Sequence, residues 1–146
     1  MMHNWFICSI RYEKVIENGT NKKVTEPYLV DALSFTEAEK RIIEEMKPFI
    51  TGEFTVEAIK RYNITDLFET EDTDADKWFK VKINYITLDE KSGREKKTAS
   101  YMLVQAADIK DAQKRFEEGM KGAMMDYQIE NIIETKIMDV YKFESK

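Results

Sequence analysis

The stretch WFKVKINY at residues 78–85 repeats, with substitutions, the stretch WFICSIRY at residues 5–12. A shift of 73 positions aligns Trp5 with Trp78, and with single-residue adjustments the correspondence continues almost to the end of the chain. A period this long, present in two copies, is not that of a solenoid or a repeat array. The sequence therefore predicts a tandem duplication within a single domain, residues 1–146, whose halves are related by pseudo-twofold symmetry.

Composition limits the class of protein. The 146 residues have the length of one ordinary domain, and 42% hydrophobic with 12% aromatic residues exclude a disordered chain. No apolar run is long enough to span a bilayer, and the start has no signal-peptide pattern. Cys8 is the sole cysteine. These features predict a cytoplasmic protein without disulfides, membrane contact or cofactor, and the net charge of -5 argues against general attraction to polyanions.

Each copy begins with a strand whose two faces differ. In the second copy Phe79, Val81 and Ile83 alternate with Trp78 and more polar residues, which is the two-residue period of a strand. The phenylalanine side is therefore expected to face the core, with the tryptophans on the opposite, outer face. The apolar members predicted for that outer face are Trp5, Ile7 and Leu29 from the first copy, and Trp78, Tyr101 and Leu103 from the second.

Turn and cap signals follow these strands. Asn18-Gly19 and Ser92-Gly93 supply residues that accept positive φ, so each copy is expected to begin as a β-hairpin. Ser34 and Asp108, each followed three residues later by an acidic residue, predict helix N-termini. Helical spacing predicts a buried stripe of Phe35, Ala38, Ile42, Met46 and Phe49 in the first helix, and of Ile109, Ala112, Phe116 and Met120 in the second.

The end of each copy completes a β-β-α-β unit. Residues 54–68 and 127–141 change the phase of their apolar alternation part-way, which predicts a β-bulge or a break into two strands. The repeats, 4–68 and 78–143, are joined by the acidic linker 69–77. The predicted fold is α+β, with a mainly antiparallel sheet of about six strands and both helices packed on one face.

Few residues are suited to catalysis or metal binding. His3 and Cys8 cannot together form a standard zinc site or a Cys/His nucleophile. Asp72-x-Asp74-x-Asp76 resembles the start of a calcium loop, but Lys77 replaces the required glycine and Ile83 the bidentate glutamate. We therefore interpret this segment as a solvated linker.

Carboxylates are the remaining catalytic candidates. Asp66 and Asp139 recur at equivalent positions and could share a proton or a metal ion, which would make the chain a carboxylate-dependent enzyme. The favoured interpretation is that each satisfies a turn or strand end. The other equivalent pairs are Glu44 with Glu118 and Glu57 with Glu130.

A non-enzymatic binding module is the leading hypothesis, with nucleic acid or nucleotide as its ligand. Trp5, Trp78 and Tyr101 would stack on bases, and Lys80, Lys82, Lys96 and Lys97 would meet phosphates. The alternative is a protein–protein module, an assembly factor or an inhibitor, in which the same face is an interface that includes Ile7, Leu29 and Leu103. An exposed apolar face of this kind is unusual on a monomer, so it is expected to be covered, either by the linker and terminal segments or by a second copy of the protein in a homo-oligomer.

The runs KKVTEPYLVDALSFTEAEKRI (22–42) and ITLDEKSGREKKTASYMLVQAAD (86–108) also carry a family likeness. The chain resembles a family of unknown function from gut Bacteroidota bacteria and their phages, and the likeness covers nearly the whole chain. The resemblance implies a cytoplasmic protein of bacterial or phage origin and transfers no catalytic residue.

Overall fold

A computed structural model describes residues 4–143, so His3 lies outside the described residues. The chain divides into two compact units. Residues up to Asn63, together with those from Lys136 onward, form unit 1, and Ile64–Thr135 form unit 2. The chain thus leaves unit 1 once and returns to it at the end. In chain order the elements are β1 (Trp5–Val15), β2 (Asn21–Asp31), α1 (Phe35–Met46), β3 (Phe54–Arg61), β4 (Asp66–Phe68), β5 (Lys77–Leu88), β6 (Glu95–Ala106), α2 (Ile109–Gly119), β7 (Asp126–Glu134) and β8 (Val140–Tyr141).

The α+β class is confirmed, but the strands form two four-stranded sheets in place of one sheet of about six. The strand order is β3-β1-β2-β8 in one sheet and β4-β6-β5-β7 in the other. Each hairpin is flanked by the long strand that follows its own helix, which completes three antiparallel strands. The fourth strand is short and parallel. Periodicity assigns side chains to faces but does not determine which strand edges pair, so the sequence could not separate these arrangements.

The stretches 54–68 and 127–141 each contain both a bulge and a break. In the ladder between β1 and β3 the register shifts between Ser9 and Ile10. Ser9 pairs with Ala58 and Ile10 pairs with Val56, so Glu57 is the extra residue. The same slip occurs in the ladder between β5 and β7, where Glu130 is extra. After each bulged strand the chain breaks, and β4 pairs with β6 while β8 pairs with β2. The predicted bulge is therefore confirmed, as is the alternative of two separate strands.

The hairpins and helix starts form as their sequences predict. Gly19 and Gly93 have φ of 85° and 68°, as the hairpin turns require. Ser34 Oγ accepts from the N–H of Glu37, and Asp108 Oδ1 accepts from the N–H of Asp111. Satisfying these free N–H groups fixes the first turn of each helix.

The core of each unit lies between one sheet and its helix. In unit 1, Phe6, Cys8 and Ile10 of β1 pack with Ala38 and Ile42 of α1. The equivalent strand residues of unit 2 pack with Phe116 and Ala112 of α2. Among the predicted stripe residues, Ala38, Ile42, Met46, Ala112 and Phe116 are buried.

Three predicted stripe residues are exposed instead. Phe49 is 74% exposed because α1 ends at Met46, before the helical spacing reaches it. Phe35 and Ile109, which are 45% and 54% exposed, are the first residues of their helices. Neither helix within residues 4–143 has the length and apolar character needed to cross a bilayer.

Candidate functional site

The outer faces of the two sheets hold both tryptophans in buried positions. Trp5 is 6% exposed and Trp78 is 4% exposed, and Leu29 and Leu103 beside them are fully buried. Trp5 alternates with the core residues Phe6 and Cys8, so it lies on the face away from α1 as predicted. A ring with so little exposed surface offers no face for a base, which leaves stacking to other residues.

Lys80, Lys82 and Tyr101 meet on the outer face of the second sheet. Tyr101 lies opposite Lys82 in the ladder between β5 and β6. The ammonium nitrogens of Lys80 and Lys82 are 4.8 Å and 6.0 Å from the centre of the Tyr101 ring. Both distances are within cation–π range, so this ring is already flanked by two cations.

The remaining predicted ligand-binding residues lie apart from this group. Lys97 faces the same side as Tyr101 but pairs with Ile86, four positions nearer the hairpin turn, and Lys96 faces the opposite side. Both are exposed. In the first sheet the aligned positions hold Ile7, Ser9 and Pro27, of which Ile7 is half-buried. The cation and aromatic group therefore belongs to the second sheet, and its first-sheet counterparts are uncharged.

Asp66 and Asp139, which recur at equivalent positions, each accept a hydrogen bond from the next residue in the chain. Asp66 Oδ1 accepts from the N–H of Leu67 at 2.8 Å, and Asp139 Oδ1 accepts from the N–H of Val140 at the same distance. Each carboxylate thus satisfies the start of a short parallel strand, which confirms the strand-end interpretation. Within residues 4–143, no group of three or more His, Cys, Asp or Glu side chains is placed to hold a metal ion.

Large apolar side chains are exposed at the hairpin end of each sheet, which sequence reasoning did not identify. In unit 1, Val15 is 67% and Phe49 is 74% exposed. In unit 2, Leu88 is 70% and Met124 is 99% exposed. Each pair places one residue at the end of the leading strand and one in the loop that returns from the helix. We call Val15, Ile16 and Phe49, and Leu88, Met124 and Met125, the two hairpin-end clusters. The name refers only to their common position along each sheet, since Val15 and Leu88 lie on the tryptophan side of their strands and the other members lie in the turn or in the loop after the helix.

The signal for these clusters is present when the first half of the sequence is aligned with the second. Val15 aligns with Leu88 by the same shift of 73 that aligns Trp5 with Trp78. The loop residues were missed because Phe49 continues the helical spacing of α1, which assigned it to the core. Strand β3 begins opposite Tyr12 and strand β7 begins opposite Ile86. The loops that lead from each helix into these strands therefore lie at the hairpin end of their sheets.

A cleft of about 450 Å³ lies in unit 2 between β4 and the last turns of α2. Phe68 lines it, with its ring edge-on to Phe116 at a centroid distance of 5.7 Å. A second opening adjoins it and shares Glu69, Thr70 and Gln105. The residues around the two openings are Leu67, Phe68, Glu69, Thr70, Glu71, Gln105, Arg115, Glu118 and Gly119.

Arg115 fixes the wall of this cleft. Its Nε donates to Asp111 at 2.8 Å and its Nη2 donates to Asp72 at 2.9 Å. Hydrogen bonds from the N–H of Asp74 and from Arg115 lower the pKa of Asp72, and those from the N–H of Ala107 and from Arg115 lower the pKa of Asp111. The same carboxylates raise the pKa of Arg115. The predicted acidic linker is therefore tied to α2 at Asp72.

Arg41 is the aligned arginine of α1 and makes the corresponding contact in unit 1. It donates to the carbonyl oxygens of Asp31 and Lys142, the latter at 2.8 Å, and lies 5.8 Å from the centre of the Phe143 ring. Each helix thus uses one arginine to hold the segment that follows a short parallel strand.

A second cleft, of about 480 Å³, lies in unit 1 beside the first hairpin. Arg11, Lys23, Glu13 and Glu53 line it, so both signs of charge are present. At its floor Tyr12 donates to Glu26 at 2.6 Å, and burial together with this carboxylate raises the pKa of Tyr12. This mixture favours no particular charge on a ligand.

Comparison with known proteins supplies the family. The family model described as Domain of unknown function (DUF4494) matches residues 4–143. The chain belongs to this family. No curated protein and no solved structure matches it significantly. The match covers all the elements of both units, including both hairpin-end clusters and the cleft beside α2.

Proposed function

We propose that this chain is a non-enzymatic module that binds protein, in the first place other copies of itself, through the two hairpin-end clusters. The observation that carries the proposal is the exposure of large apolar side chains at matching places in both units. Val15 and Leu88 are 67% and 70% exposed, and Phe49 and Met124 are 74% and 99% exposed. Isolated exposed apolar residues are ordinary, whereas adjacent ones, such as Val15 with Ile16 and Met124 with Met125, mark interaction sites.

The charges around the clusters support a protein partner. The first hairpin carries Glu13, Glu17, Lys14, Lys22 and Lys23 in its exposed part. The second hairpin likewise mixes acidic and basic residues around Leu88. An apolar centre with a polar rim of both signs is the anatomy of a protein interface. A polyanion would instead require a predominantly positive surface.

Sedimentation velocity over a wide range of protein concentration tests this proposal. We expect a concentration-dependent oligomer that Phe49→Ser and Met124→Ser weaken, because each removes apolar surface that association would bury. Leu33→Ser is the matched control, since Leu33 is 72% exposed but lies at the start of α1. A chain that stays monomeric throughout, or an oligomer that all three variants weaken equally, would contradict the assigned surface.

Nucleic acid or nucleotide is the second candidate ligand, supported by Lys80, Lys82 and Tyr101 on the second sheet. An anion entering beside Tyr101 would meet two ammonium groups at once. Fluorescence anisotropy of a labelled single-stranded oligonucleotide at low and high salt tests it. Binding that weakens steeply with salt, and more in Lys82→Gln than in Lys60→Gln, would support this ligand. Absence of binding at low salt would remove it.

The setting of the protein belongs to the same proposal. We infer a cytoplasmic protein of bacterial or phage origin, as the family resemblance implies. We also infer that its halves arose by duplication. The shared order of hairpin, helix and bulged strand in the two units supports that inference.

A further inference from the structure

We propose that the cleft between β4 and α2 binds a basic, extended segment of a partner protein. An arginine or lysine side chain of that segment would lie over Phe68, beside Glu118. This inference rests on the proposed protein-binding function and adds a second surface with its own partner chemistry. All the residues that form the cleft belong to unit 2.

The aromatic floor of the cleft is held in place by its neighbours. The Phe68 ring packs edge-on against Phe116, which is fully buried. Gly119 lies so close that a Cβ atom there would be 2.6 Å from Phe68 Cε1. Phe68 itself is half-buried, so part of its surface faces the cleft. A fixed and partly exposed ring attracts a cation at low cost in side-chain entropy.

The charge at the rim is negative. Glu69 and Glu118 line the main cleft, and Glu71 lines the adjoining opening. The only cation among these lining residues is Arg115, whose guanidinium is already bound to Asp72 and Asp111. Glu71 and Glu118 are exposed and supply the negative charge that a ligand would meet. Complementarity favours a cationic ligand and disfavours an acidic one.

The wall of the cleft is formed independently of any ligand. The N–H of Thr70 donates to Gln105 Oε1 at 3.1 Å, and Asp72 is bound to Arg115 two residues later. These contacts hold residues 69–72 beside α2. A cleft that is already shaped loses little free energy to ordering when a peptide enters it.

The size of the cleft suits a few side chains of a peptide. Its volume of about 450 Å³ is in the range of about 300–1,000 Å³ that small ligands occupy. A long basic side chain supplies an aliphatic stem for Phe68 and a charged head for the glutamates. A short extended segment is therefore the partner chemistry that this cleft fits.

The test uses the full chain and a fluorescein-labelled peptide of alternating arginine and serine. The control peptide has glutamate in place of each arginine. We expect the arginine peptide to bind at low salt and the glutamate peptide not to bind. Glu118→Lys should weaken binding by about fivefold or more, because it replaces attraction with repulsion at the rim. Phe68→Leu should weaken binding by about threefold through loss of the cation–π contact.

Glu44→Lys is the matched control, since Glu44 aligns with Glu118, is also exposed, and lies on α1 in unit 1. It should leave the affinity of the arginine peptide unchanged. Equal weakening by Glu44→Lys and Glu118→Lys would mean that only net charge matters and would overturn the site. Absence of binding at low salt would overturn it too. A monomeric chain that still binds the peptide would reject the hairpin-end interface and keep this cleft.

Discussion

Gly119 and Phe68 are packed so closely that a methyl group on Gly119 would lie 2.6 Å from Cε1 of the phenylalanine ring. The ring is also held by Phe116, one turn earlier in the same helix, which packs edge-on against it at a centroid distance of 5.7 Å. Gly119 is the last residue of α2, and the short strand that contains Phe68 is held against the helix here. Close approach of strand and helix therefore requires glycine at this position.

We expect Gly119→Ala to lower the free energy of unfolding by about 1 kcal/mol. Overpacking costs about 1–3 kcal/mol, and alanine's higher helix propensity offsets about 1 kcal/mol of it. Urea denaturation measures the difference. Gly52→Ala is the control, because a Cβ atom there meets nothing within 4 Å. If Gly119→Ala proves more stable than the parent chain, the Phe68 ring does not pack as closely against Gly119 as this distance indicates.

Cys8 is fully buried, and that burial raises the pKa of its thiol to about 12. The unfolded thiol ionises near pH 8.5, so its contribution to stability is complete below about pH 8.5 and is lost as the pH rises towards 12. We expect the unfolding free energy to fall by about 2 kcal/mol more between pH 8 and 10 in the parent chain than in Cys8→Ala. Urea titrations at each pH measure the two slopes, and equal slopes would contradict the prediction.

Arg115 should make stability depend on acid. Backbone N–H groups make the largest contribution to lowering the pKa of Asp72 and Asp111, and the hydrogen bonds from Arg115 make the second. A carboxylate whose pKa is lower in the folded state stabilises the fold at any pH above its unfolded pKa of about 3.9. This stabilisation is lost as the pH falls through the pKa of the folded state. The stability difference between the parent and Arg115→Gln should therefore shrink below about pH 4. Arg94→Gln, in the second hairpin turn, is the control and should show no such trend.

Local features of the fold could be predicted from the sequence because each has its own short-range signal. The alternation around Phe79 indicated which strand face packs against the helix, and Ser34 and Asp108 marked the helix starts. The pairing of β4 with β6 and of β8 with β2 left no such signal. Each of these strands is three residues or fewer, and a parallel partner can lie anywhere along the chain.

The candidate site was predicted less well for a related reason. Lys80, Lys82 and Tyr101 share a face because the strand period places them there, and the structure brings them together. The burial of Trp5 and Trp78 depends on what covers the outer face, which periodicity does not encode. Phe49 was assigned to the core because its spacing continues a helix that in fact ends at Met46.

The bulge at Glu57 provides the sharpest test of how β3 is placed. Ala58 lies opposite Ser9 and Val56 opposite Ile10, so the extra residue keeps both Val56 and Ile59 against the core of unit 1. Deleting Glu57 would turn one of them outward, at a cost of about 2 kcal/mol or more for each side chain exposed. Glu57→Ala keeps the residue count and removes only an exposed ion pair with Arg11, worth less than about 1 kcal/mol. We expect thermal unfolding, followed by circular dichroism, to show a large loss of stability for the deletion and a small one for the substitution. Similar midpoints for the two variants would mean that the strand re-registers freely, and that the bulge does not fix which residues of β3 face the core.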